Sequence, residues 1–372
     1  MQKTQDEVVV GLESNLAKVK NHLKQVKILG LIGMGGIGKT TLAKAIFDDV
    51  RATYDASCFI ENFKSRNSLE ILCEILQTFG REKESSWTLV DAQKIMRELL
   101  AMKKILLILD DPKDAAQVHD IIPEDLPYIN NGTKIIITTR GWASIQNRVD
   151  VNDRIDVEKL DGNVAKELFD SYVLVDGAHL SPKLFDLRDK IIERCNGLPL
   201  SLKVMGAFLR GKERIRSWER AFQRMKRGRQ LDGDEGLWST LRISFDGLEN
   251  DEKNMFLDLA CFYPMGMRKE KALHIFTNYG ASPNHVLEIL VDKSLVKIGE
   301  EGNLEMHDQL RDMGHMIVET DKDYLGTRIW KLCMIPSQIG SINDKVWCTL
   351  KSLMRLVFVK CKYKYVGEIL HF

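Results

Sequence analysis

The chain has 372 residues, 44% of them apolar, and carries 54 Lys plus Arg against 53 Asp plus Glu. That length predicts roughly two to four domains with sizeable cores, and the balanced charge excludes steering of nucleic acid or an anionic membrane by net charge. The seven cysteines, Cys58, Cys73, Cys195, Cys261, Cys333, Cys348 and Cys361, are odd in number and never spaced C-x-x-C, which argues against a disulfide framework or a zinc site. MQKTQDEVVV has no basic flank leading into an apolar segment, and no run approaches the ~18 apolar residues of a spanning helix. The expectation is a soluble intracellular protein, cytoplasmic or nuclear.

From residue 26 to about 157 short apolar runs alternate with helical patterns: VKILGLIG, SCFIEN, KKILLILDD, TKIIITTR and RIDVEKL. This rhythm predicts a parallel sheet wrapped by helices, because strands covered on both faces read as continuous Ile, Leu and Val. From about 158 to 230 the strand pattern gives way to helices over AKELFDSYVL, LFDLRDKIIERC and LPLSLKVMGAFLRG. Residues 210–229 hold nine Lys/Arg against two Glu, with Trp218 and Phe222 four apart. That spacing predicts a helix with one buried stripe and a basic, solvated outer face.

From about 231 to 318 the patterns LWSTLRISFDGL, DEKNMFLDLACFY, RKEKALHIFTNYG and NHVLEILVDK predict helices, followed by SLVKI, the turn GEEGN and LEMH. Helices ending in a short hairpin predict a winged helix. Residues 237–318 carry thirteen acidic and eight basic side chains, which disfavours reading of DNA through its phosphates. Near the end, Leu353, Leu356, Phe358, Cys361 and Tyr363 approximate a leucine-rich repeat. This is either a coincidence in an apolar segment or the first turn of a repeat array.

The chemistry is carried by GMGGIGKTT at residues 33–41, directly after the first predicted strand. Gly33, Gly35, Gly36 and Gly38, with Ile37 among them, let backbone N–H groups turn inward around phosphates. Lys39 reaches the β- and γ-phosphates, Thr40 offers its hydroxyl to Mg²⁺, and the following helix points its positive end at the same anion. Asp110 and Asp111 end the run ILLIL, where a P-loop protein needs a carboxylate for Mg²⁺. Asp110 is the metal candidate. Asp111 either orients or deprotonates the attacking water or caps a turn before Pro112. Arg140, at the end of TKIIITTR, either places a fixed guanidinium near the γ-phosphate, where it would distinguish a triphosphate from a diphosphate, or is a surface arginine at a strand end. No N-K-x-D pattern follows, so adenine is expected rather than guanine, and ligands at carboxyl ends of strands predict that these three sites converge.

Those residues in that order, together with VVVGLES, CNGLPLSLKVMGAFLRGK, FLDLACFY and LEMHDQLRDMGHMIV, resemble the NB-ARC module of plant nucleotide-binding leucine-rich-repeat resistance proteins over about residues 6 to 320. SFDGL, FLDLACF and HDQLRDMG resemble the branch with an N-terminal Toll-receptor-type domain, which is not expected within these residues. Pro112 departs from the aliphatic residue the family carries there. The resemblance implies a P-loop domain over 1–157, a helical bundle over 158–230, a winged helix over 231–320, and a linker with a repeat-like segment over 321–372. It further implies Val10 and Gly11 along the adenine, Pro199 over the base, Thr41 at the α-phosphate and His307 at the β-phosphate of ADP. By the same resemblance the protein is an ADP/ATP switch in immune signalling, with protein partners and a homo-oligomer on activation. Two alternatives stay open: a slow turnover ATPase, although no glutamate follows Asp110 and Asp111, and a winged-helix regulator that binds nucleic acid through 210–229.

Overall fold

A computed structural model of the chain describes residues 11, 13–61, 66–82, 86–122, 129, 132–174, 179–227, 234–262, 267–276, 282–299 and 301–325. Val10 and the repeat-like segment from Leu353 to Tyr363 lie outside them. The chain forms two compact units, 1–240 and 241–372; the stretches 1–157 and 158–230, expected as separate domains, share the first.

The first unit is built on five parallel strands, β1 (Ile28–Ile32), β2 (Ala56–Ile60), β3 (Ile105–Asp110), β4 (Lys134–Thr139) and β5 (Arg154–Asp156), in the order β2-β3-β4-β1-β5. These are the five apolar runs read from the sequence. Alternation assigns each strand's side chains to two cores. Ile28 and Ile32 of β1, Leu107 of β3 and Ile135 of β4 pack with α3 (Ser68–Thr78), α4 (Leu89–Met102) and α5 (Ala115–Ile121). Leu29, Leu31, Ile108 and Ile136 face the opposite way, onto α1 (Glu13–Leu23) and α2 (Lys39–Val50). Covered faces on both sides explain why ILLIL and KIIIT lack polar alternation.

The order decides the site: β4 lies between β1 and β3, so the carboxyl ends of the three strands stand side by side. The bundle of α6 (Gly162–Val173), α7 (Phe185–Cys195), α8 (Pro199–Leu209) and α9 (Ile215–Arg227) continues the same unit. A methyl on Gly206 would sit 2.8 Å from Tyr172 Cβ and 2.9 Å from Phe169 O, so only glycine lets α8 approach α6 this closely. In α9, Trp218 is fully buried and donates Nε1–H to Lys212 O at 2.7 Å, while Arg216, Arg220 and Arg224 are exposed. The half-buried Phe222 carries Arg194 and Lys226 over its ring. The buried stripe and the solvated basic face are both present.

α10 (Asp234–Asp246) runs across the boundary between units. The second unit holds α11 (Asn250–Phe262), α12 (Lys269–Ile275), α13 (Pro283–Asp292), α14 (Asp308–Thr320) and a small antiparallel sheet. Its strands β6 (Met267–Arg268), β7 (Lys297–Ile298) and β8 (Asn303–Glu305) take the order β6-β8-β7. This is the winged helix, with one strand more than the predicted hairpin. The helix expected through RKEKALHIFTNYG stops at Ile275, before Thr277, Asn278 and Gly280, residues that disfavour helix. Gly314 of α14 lies against Ala260 of α11, where a methyl would come within 2.6 Å of Ala260 Cβ. Phe245 packs on Phe256 and Tyr324 at 5.5 and 5.9 Å. Among the described residues, Cys58, Cys73, Cys195 and Cys261 are free thiols, and no helix is long and apolar enough to cross a membrane.

Candidate functional site

The glycine loop leaves β1 with Gly33 N–H donating to Thr139 O of the neighbouring β4 at 3.3 Å. Gly36 and Gly38 take φ of 77° and 102°, which a residue with a Cβ adopts only under strain. Gly35, Gly36 and Ile37 are buried. Gly38 is the N-cap of α2, and no side chain caps that helix end. Its first-turn amides, including those of Thr40 and Thr41, are therefore suited to an anion. Lys39, only 7% exposed, donates from Nζ to Gly33 O at 2.8 Å and Met34 O at 2.9 Å. The ammonium is folded over the loop, held by carbonyls that a phosphate oxygen outcompetes on charge.

Thr40 Oγ1 lies 3.0 Å from both carboxylate oxygens of Asp110, and Thr138 Oγ1 donates to Asp110 Oδ1 at 2.6 Å. Burial pushes the Asp110 carboxyl up to about 6 against the pull of those two hydroxyls, and the charges of Glu61 and Asp111 push the same way. A buried carboxylate with a threonine hydroxyl beside it is an all-oxygen donor set, which fits a hard divalent cation. Thr40 and Asp110 would hold Mg²⁺.

Asp111 and Arg140, the two catalytic candidates, face each other: Arg140 Nε is 3.4 Å from Asp111 Oδ2, with side chains 24% and 17% exposed. The backbone of Asp111 is left-handed, at φ 52°. Its N–H is held by Thr138 O at 3.1 Å and Thr138 Oγ1 at 3.0 Å. The turn before Pro112 thus keeps Asp111 beside Arg140 at the end of β4.

The helical bundle reaches the same loop. Asn196 and Gly197, at φ 52° and 67°, end α7 and turn the chain so that α8 begins at Pro199. Leu200 N–H then donates to Gly36 O at 3.2 Å, and Pro199 Cγ would lie 3.9 Å from a methyl on Gly38. Gly11, at φ 76°, stands where a methyl would meet Val164 Cγ1 at 2.4 Å and Leu160 Cδ2 at 3.4 Å. Both predicted base-side residues that are described, Gly11 and Pro199, are therefore at the junction of loop and bundle or against the bundle itself.

In the second unit, His307 is the N-cap of α14 and its Nδ1 accepts from Gln309 N at 3.1 Å. Acceptance at Nδ1 puts the ring proton of the neutral imidazole on Nε2. Two residues escaped the sequence reading. Leu200 is a core leucine by pattern. Glu61, in SCFIEN, directly follows β2, and the strand-end rule applied to the other strands would have found it.

The comparisons with known proteins agree with this architecture. Residues 12–178 match the NB-ARC domain family, and residues 249–321 match the winged-helix domain of Roq1-like disease resistance proteins. The chain is 35% identical over 333 residues to TMV resistance protein N of Nicotiana glutinosa, covering 85% of this chain and 28% of that protein. It is 31% identical over 334 residues to disease resistance protein RRS1B of Arabidopsis thaliana, covering 88% of this chain and 24% of that protein. The chain thus spans about a quarter of the length of these relatives. Among solved structures, a signal transduction ATPase with numerous domains bearing a tetratricopeptide repeat sensor, from Pyrococcus horikoshii, shares the fold at a TM-score of 0.53 and 17% identity, over 95% of this chain and 53% of that one.

Proposed function

Because this chain belongs to the plant disease resistance proteins with an NB-ARC module, the nucleotide-binding leucine-rich-repeat class, we propose that it is an adenine-nucleotide switch, resting with ADP and exchanging it for ATP on activation. The observation that carries this reading is the meeting of Lys39, Thr40 and Asp110 at one loop, with Thr40 Oγ1 3.0 Å from the Asp110 carboxylate. In this reading the loop amides from Gly33 to Thr41 and the Lys39 ammonium hold the phosphates. Val10, Gly11 and Pro199 flank the base, and His307 supplies its Nε2–H to the β-phosphate of ADP. When bound beside Thr40 and Asp110, Mg²⁺ would neutralise charge on the phosphates.

Arg140 reads the γ-phosphate. In the absence of a third phosphate its guanidinium is satisfied by Asp111, so ATP offers it a second partner and ADP does not. A ligand moves a two-state protein only by its differential affinity, and a shift from 1:99 to 99:1 takes about 5.5 kcal/mol. Charge-assisted hydrogen bonds at roughly 1.5–3 kcal/mol each reach that size with two or three contacts. The Leu200 to Gly36 bond gives loop movements a route into the helical bundle. The protein partners and the homo-oligomer of the activated state follow from the same reading.

Hydrogen exchange on the full chain tests the switch. Saturating ADP and a non-hydrolysable ATP analogue should give different protection in α8 and in the stretch holding His307. Identical exchange with both nucleotides overturns it.

A further inference from the structure

Parallel pairing sets Ile60 of β2 against Leu109 of β3. Glu61 directly follows β2 and Asp110 is the last residue of β3, so the two stand at neighbouring strand ends on the carboxyl edge of the sheet. The same α2 face serves both. Thr40 and Lys44 are four residues apart, one helical turn; Thr40 bonds Asp110 and Lys44 Nζ pairs with Glu61 at 2.5 Å. Two rungs therefore join α2 to the sheet, and the second ends in a carboxylate.

Glu61 differs from Asp111 in access. Asp111 is 17% exposed and engaged by Arg140, whereas the Glu61 side chain is 38% exposed and its Lys44 partner 48%. An exposed lysine–carboxylate pair is weak enough to open at little cost. Glu61 also lines a cavity of about 450 Å³ with Lys44, Phe47, Phe59 and Arg66, large enough for several waters. Its charge is felt at Asp110, the carboxylate at the neighbouring strand end.

We propose that Glu61 is the general base of this chain, taking the proton of the water that hydrolyses bound ATP. The proposal rests on the nucleotide reading above. In the step, the water oxygen bonds to the γ-phosphorus and its proton passes to a Glu61 carboxylate oxygen. The bond from the γ-phosphorus to the β–γ bridging oxygen breaks, and its electron pair stays on ADP. The products are ADP and inorganic phosphate. The base missing after Asp110 and Asp111 comes instead from the neighbouring strand. Hydrolysis then resets the switch, with Lys44 holding Glu61 aside until a triphosphate is bound.

Single-turnover hydrolysis with the full chain in excess over labelled ATP, chromatography of the nucleotide retained after an hour, and calorimetric ATP and ADP affinities test this together. Glu61→Gln should slow hydrolysis about 100-fold or more and retain ATP where the wild type retains ADP, with both affinities within about threefold of wild type. Lys44→Met should hydrolyse at or above the wild-type rate. If Glu61→Gln does not fold, Glu61→Asp, which shortens the carboxylate by one methylene, should fold and slow hydrolysis at least tenfold. Normal binding with wild-type hydrolysis in the glutamine or aspartate variant overturns the role of Glu61 alone, as does a wild type that binds ATP without cleaving it. A wild type that binds neither nucleotide removes the nucleotide reading and this proposal with it.

Discussion

Leu200, the second residue of α8, donates its N–H to the carbonyl of Gly36 in the glycine loop at 3.2 Å. One of the orphan donors at the start of a bundle helix is thus satisfied by the loop that is built to hold phosphate. Any ligand that moves Gly36 also moves a helix terminus.

Gly36→Ala tests that coupling. A methyl there would stand 2.8 Å from Leu200 Cβ, on a backbone at φ 77°. Left-handed strain and the clash together should cost about 1–3 kcal/mol of stability, read as a lower midpoint in urea. ADP affinity should fall at least tenfold by calorimetry, because relief of the clash distorts the loop. Unchanged affinity would show that the loop and α8 are not linked.

Asp110→Asn should separate stability from metal binding. The substitution removes a buried charge that folding disfavours while keeping the side chain's volume. The nucleotide-free protein should therefore melt no lower than wild type at pH 7.5. Addition of Mg²⁺ with ADP should raise the wild-type melting temperature more than ADP alone, and this increment should vanish in the variant. An increment that survives would place the metal elsewhere.

Arg140→Ala should weaken ATP more than ADP. Loss of one charge-assisted contact to the γ-phosphate is worth about 1.5–3 kcal/mol, or roughly 10–150-fold in affinity. ADP binding, which offers no third phosphate, should change less than threefold. Parallel losses for both nucleotides would make Arg140 a partner of Asp111 and nothing more.

In the second unit, Arg242 of α10 bonds both Asp246 and Asp321, tying α10 to the residue after α14. The hydrogen bond from Arg242 holds the Asp321 carboxyl below the usual carboxylate range. A depressed folded value stabilises above the unfolded value, near 3.9, and is lost as pH falls through the folded one. Asp321→Asn should thus cost about 1 kcal/mol or less at pH 7, since the pair is partly solvated, and progressively less toward the acid end of a urea series run from pH 7 to 3. A cost independent of pH would assign the effect to packing.

Much of this was legible because the relevant patterns are local. Continuous runs such as ILLIL mark strands covered on both faces, and Gly33 to Thr41 carry the phosphate loop within nine residues. Asp110 and Arg140 could be placed because each follows such a run directly. What stayed hidden depends on long-range order. Nothing in the spacing shows that β4 separates β1 from β3, or that β2 sets Glu61 beside Asp110. The Leu200 to Gly36 bond joins positions 164 residues apart in sequence, by subtraction of 36 from 200. Strand β6 has two residues, Met267 and Arg268, too few for any periodicity. The winged helix was legible as a class because helices followed by GEEGN need no knowledge of which strand joins the hairpin.

The most direct test of the central claim is calorimetric titration of ADP, with Mg²⁺, into the full chain after its nucleotide has been stripped. The account predicts saturable binding to one site per chain, preferred over GDP, and weakened at least tenfold by Lys39→Ala with the fold intact by circular dichroism. A stripped, folded wild-type chain that shows no binding heat and no thermal stabilisation by ADP would contradict it.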